Sequence, residues 1–99
     1  RLILRIDENL VVRLDDQLVT DCSQAARSGN QREYEPCFRE IQENLRSNQR
    51  LLDAGQLYIM GEETVPYGFV VGTIARIRLA GVDRVGMITN PEYLLEESN

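Results

Sequence analysis

The sequence predicts an α/β (α+β) two-layer sandwich, a mixed sheet with two helices packed on one of its faces. Three observations carry this prediction. Short runs that alternate apolar and polar residues occur near both ends of the chain. Two longer stretches place apolar residues at helical spacing between the later runs, and turn-forming residues mark each junction. The implied order is β-β-β-α-β-α-β in one domain covering residues 1–99, a length with no room for a second core.

Leu2, Leu4 and Ile6 alternate with Ile3 and Arg5, as a half-buried strand requires. After the polar turn Asp7-Glu8-Asn9, Leu10, Val12 and Leu14 repeat the pattern with Val11 and Arg13 facing the other way. Asp15-Asp16 makes a second turn, and Gln17-Leu18-Val19 is the third strand. Residues 20–35 hold Ser, Gly, Asn, Gln and Arg with few apolar residues, and read as a long surface loop or insertion containing at most one helical turn.

Pro36 suits the first turn of a helix, where its missing N–H has no intrahelical partner. Phe38, Ile41, Leu45 and Leu52 then share one face of a single helix, opposite Arg39, Glu40, Glu43, Arg46 and Arg50, with Gly55 as its stop. Gln56 to Met60 is the fourth strand, with Leu57 and Ile59 inward and Tyr58 and Met60 outward. Pro66 opens the second helix, whose apolar stripe is Val70, Ile74 and Ile77 reinforced by Val71. Gly81 and Val82 fit a left-handed cap with its hydrophobic contact. Arg84 to Thr89 is the last strand, and residues 91–99 form an acidic, flexible tail.

The outward face of this sheet carries Ile3, Arg5, Val11, Arg13, Tyr58 and Met60, a set apolar enough to suggest a dimer or partner face. Scattered surface apolar residues on a monomer account for the same pattern.

Composition narrows the function classes. The net charge is −5, and all 11 basic residues are Arg. An acidic chain without a basic cluster lacks the electrostatic term that dominates nucleic-acid affinity, and the same deficit disfavours anionic lipid. There is no His, which removes imidazole from both acid–base catalysis and metal ligation. No apolar run approaches the roughly 18 residues of a membrane span. The first residue is Arg1 rather than Met, so the expectation is a fragment or processed chain whose anchor lies upstream.

Residues 57–91 resemble the C-terminal half of the ExbD/TolR family, the energy-transducing proteins of biopolymer transport and the Tol-Pal system. The features that carry the likeness are an acidic loop after a strand, Val65-Pro66-Tyr67 at a helix start, Leu79-Ala80-Gly81 at its end, and Arg84-Val85-Gly86 in the next strand. The opening from Leu2 to Thr20, with its Ile6-Asp7-Glu8-Asn9 turn, is similar to the family's hairpin start. Residues 20–35 stand where the family has a short connection.

The resemblance implies the periplasmic domain of a single-pass bacterial inner-membrane subunit that sits with an ExbB/TolQ-like channel protein. Such a domain would couple the proton motive force to a TonB- or TolA-like partner, or contact peptidoglycan, as a homodimer. The functional carboxylate would lie in an upstream transmembrane helix, so no catalytic residue, cofactor or metal is expected here. The other reading is a free-standing, small-ligand-binding regulatory domain.

In an oxidising periplasm, Cys22 and Cys37 would close residues 22–37 into a disulfide loop worth roughly 3 kcal/mol. Two unrelated thiols remain the alternative. The acidic residues Asp7, Glu8, Asp15, Asp16 and Asp21 lack the spacing of a calcium loop and read as solvated turns. Gly68 and Gly72 sit inside the second helix, where close packing within the fold explains such residues. No nucleophile-elbow, P-loop or dinucleotide motif is present, so the chain is not expected to be an enzyme.

Overall fold

The computed structural model describes residues 1–88. Strands β1 (Ile3–Ile6), β2 (Val11–Leu14), β3 (Gln17–Asp21), β4 (Gln56–Gly61) and β5 (Arg84–Met87) form one sheet in the order β3-β2-β1-β4-β5. The β3-β2-β1 ladders are antiparallel, whereas β1-β4 and β4-β5 are parallel. The sheet is therefore mixed, as the sequence predicts. Leu4, Ile6, Val12, Leu14, Leu57 and Ile59 are all buried on one face, against the helices.

Four helices, rather than two, supply the second layer: α1 (Ser23–Ser28), α2 (Tyr34–Arg46), α3 (Gln49–Ala54) and α4 (Tyr67–Leu79). The segment 20–35 is not a plain loop. β3 runs on through Asp21, α1 buries Ala25, and a 3₁₀ turn over Gln31–Glu33 leads into α2. The single helix expected up to Gly55 is two helices. Asn48 takes an extended backbone and its Oδ1 accepts the Leu51 N–H at 3.1 Å, which caps a new helix rather than continuing the old one. Leu51 thereby becomes the buried anchor and Leu52 is only half-buried.

The long helices α2 and α4 pack together through an aromatic cluster. Phe69 meets Tyr34 edge-on at 5.1 Å and Phe38 at 5.4 Å between ring centroids. A Cβ on Gly72 would overlap the Phe38 ring, so only glycine admits this approach, whereas Gly68 has open space around it. Close packing accounts for the first glycine and not for the second. Arg76 of α4 ties the pair further, donating to Gln42 at 2.9 Å and pairing with Glu35 at 2.7 Å.

The buried face of α4 is Phe69, Thr73 and Ile77, with Val70 and Ile74 half-buried at its margins. Val71 therefore does not reinforce the core and turns outward instead. The α4 terminus matches its expected cap: Val82 N–H donates to the Ile77 carbonyl, Gly81 N–H to that of Arg78, and Gly81 has a φ of 111°. Leu10 is buried in the β1–β2 turn at a φ of 58° and does not belong to β2. Thr89 and the tail 91–99 lie outside the described residues.

Candidate functional site

The cross-strand register gathers all six residues read as outward-facing. One row runs Arg13–Arg5–Met60 across β2, β1 and β4, and the next runs Ile3–Tyr58–Gly86 across β1, β4 and β5. Val11 lies beside these rows on β2, and Leu18, paired with Arg13, extends the first row on to β3. Ile3, Val11, Tyr58 and Met60 are half-buried, whereas Arg5, Arg13 and Leu18 are exposed. No described helix covers this face.

Its chemistry is cationic and apolar together. Arg1 sits 4.7 Å over the Tyr58 ring, and the Tyr58 hydroxyl accepts from Gln56 Nε2 at 2.9 Å. Tyr58 can lie across β5 because residue 86 is glycine: a Cβ there would stand 2.8 Å from the ring carbons. Arg5 and Arg13 are direct cross-strand partners of like charge, an arrangement that disfavours the ladder. Arg5 Nη1 rests on the Met60 sulfur at 3.3 Å, and Arg13 reaches Asp7 at 3.4 Å in an exposed pair of small worth. Among the described residues, no carboxylate is within ion-pair distance of Arg5.

The other sequence features are distributed elsewhere. Val65 packs on the core and Ala80 is buried. The Pro66 carbonyl accepts the Phe69 and Val70 N–H groups at the start of α4. Tyr67, the first residue of α4, is 81% exposed. Cys22, at the end of β3, is bonded to Cys37 on α2, with 5.9 Å between their Cα atoms. This link fastens α1 and the 3₁₀ turn against α2, beside Asn44, whose side chain donates to the Val19 carbonyl of β3.

Asp7, Asp15 and Asp21 are spent on local structure. Asp7 Oδ1 accepts the Asn9 and Val11 N–H groups. The Ile3 N–H, with help from the Arg50 guanidinium at 2.7 Å, holds the Asp15 carboxyl below the ordinary aspartate range. The Ser23 hydroxyl and N–H do the same for Asp21. No three His, Cys, Asp or Glu side chains converge on a metal-sized space among the described residues.

One surface escaped the sequence reading. Tyr67, Val71, Ala75 and Leu79 repeat at four-residue intervals along the outer side of α4, and all four are exposed. The spacing is visible in the sequence, but Phe69, Thr73 and Ile77 repeat at the same interval. Periodicity alone does not choose which of the two ladders faces the core. Comparison with known proteins leaves the chain without a family assignment: no family model matches it, and neither does any curated protein.

Proposed function

We propose that this is the periplasmic domain of an ExbD/TolR-like inner-membrane subunit, a non-enzymatic module that relays the proton motive force from an ExbB/TolQ-like channel protein. Its output is contact with a TonB- or TolA-like protein or with peptidoglycan, and the domain works as a homodimer. The observation that carries this reading is the uncovered sheet face, where Ile3, Val11, Tyr58 and Met60 form a half-buried apolar floor around the exposed Arg5–Arg13 pair. A floor of this kind suits a macromolecular partner. The strand–helix–strand unit from Gln56 to Met87, with its Pro66 start and Gly81 cap, agrees with the order that the family resemblance implies. The Cys22–Cys37 bond fits an oxidising compartment.

The test is a gentle-detergent purification of the full-length protein from its native membranes, with copurifying proteins identified by mass spectrometry. A polytopic channel protein of the ExbB/TolQ type is the expected companion, and a TonB- or TolA-like protein would then choose the branch. Recovery from the soluble fraction without such a companion overturns the reading in favour of a small-ligand regulatory domain.

A further inference from the structure

We infer that the partner segment recognised by the open sheet face is an acidic, extended peptide whose face-directed side chains, at every second position, are carboxylate and apolar in turn. This deepens the proposed function and rests on the open face being the partner surface.

The argument starts from a cost. Arg5 and Arg13 stand directly opposite each other on neighbouring strands, where like charges weaken a ladder. Nothing in the fold requires it, since both side chains are exposed and neither fills the core. Their described contacts are a thioether sulfur for Arg5 and one long, exposed ion pair for Arg13. Two further guanidinium groups belong to the same side of the sheet. Arg1 lies over Tyr58, and Arg84 pairs with Gln56 two residues along from the Tyr58–Gly86 pair. Asp7, beside Arg13, and Asp21, opposite Val11, are the facing carboxylates, so four guanidinium groups leave this face net cationic in a chain of net charge −5.

The complement of that pattern is specific. Guanidinium forks bind carboxylates in a bidentate manner, and the apolar floor beside them takes short hydrocarbon side chains. An extended peptide turns every second side chain to the same side, so carboxylates and apolar residues that take turns at every second position both meet the face. A polyanion of high charge density fits less well. It would leave Ile3, Val11 and Met60 without apolar cover, and the acidic remainder of the domain repels it.

The probe is a fluorescently labelled twelve-residue peptide of the repeat Glu-Ser-Val-Ser, which turns glutamate and valine to the same side, titrated with the full chain and followed by anisotropy. Saturable binding that weakens with added salt is expected. The double variant Arg5→Gln/Arg13→Gln, with its fold checked by circular dichroism, should weaken binding about tenfold or more. Arg39→Gln/Arg46→Gln, on the outer side of α2, should leave it unchanged. Equal binding by both double variants overturns the inference, as does an equally tight glutamine–valine peptide. Binding that emerges only after removal of residues 89–99 also overturns it, by giving the face to the chain's own acidic segment. So does tighter binding of anionic lipid vesicles than of the peptide. Repeating the membrane purification with Tyr58→Asp separates this inference from the reading beneath it. If that variant loses the partner while the peptide fails to bind wild-type protein, the partner surface stands and its acidic preference falls.

Discussion

The ring of Phe38 occupies the space that a side chain at Gly72 would fill, so α2 and α4 meet at a bare Cα. Replacing Gly72 by Ala improves helix propensity by about 1 kcal/mol, yet it forces the two helices apart or the Phe38 ring out of its place. A net destabilisation of about 1–3 kcal/mol is expected. Gly68→Ala, with nothing near its added methyl, should instead stabilise by about 0.5 kcal/mol. Urea unfolding of the two variants checks the opposite signs.

Arg5 and Arg13 provide a second test, which concerns stability alone. Arg5→Glu converts a repulsive cross-strand pair into an attractive one, with an expected gain of about 0.2–1 kcal/mol. The same change should abolish binding of the glutamate–valine peptide. A variant that is more stable and less able to bind would locate the reason for the like-charge pair in function.

The Cys22–Cys37 bond should contribute about 3 kcal/mol, since it closes a loop of sequence separation 15. Thermal unfolding of the wild type with and without reductant measures it, and a Cys37→Ser variant should match the reduced protein. An unchanged midpoint would show that α1 and the 3₁₀ turn hold their places through Ala25 and Tyr34 alone.

Asp15 and Asp21 set an acid limit. Both carboxyls ionise more readily in the folded protein than in the unfolded chain, so they stabilise the fold above the ordinary aspartate value of 3.8. That contribution is lost as the pH falls through their lower folded-state values, because protonation breaks the Ile3, Arg50 and Ser23 contacts. Asp15→Asn, which keeps an acceptor for the Ile3 N–H but not the charge, should lower the unfolding midpoint at neutral pH and flatten its fall below about pH 4.

Much of this architecture is legible in the sequence because single residues decide it. Leu4, Ile6, Val12, Leu14, Leu57 and Ile59 alternate strictly, and all six are buried. Gly55 and Gly81 mark helix ends with positive φ. The break at Asn48 was hidden because apolar residues continue on both sides at near-helical spacing, so the periodicity passes over an asparagine that caps through its own side chain. α1 was hidden for a different reason. It is six residues long and buries one alanine, so tertiary attachment, not its own pattern, holds it.

The candidate site was half legible. Alternation names the six side chains of the open face, but not their pairing. That Arg5 meets Arg13 follows from the β1–β2 turn, through the hydrogen bonds of Asp7 and the reversed φ at Leu10. The outward ladder of Tyr67, Val71, Ala75 and Leu79 depended on which side of α4 the Phe38 ring claims.

The strand order also has a mechanical consequence. β1 is the middle strand, bonded on one side to β2 and on the other to β4, and it runs parallel to β4 and β5. Tension entering along β1 at Arg1 and leaving along β5 pulls parallel strands in opposite directions. The ladders between them are then loaded in shear, with their hydrogen bonds sharing the load at once. A strand peeled from an edge would surrender those bonds one at a time. A load applied in that way would meet the sheet in its most resistant direction.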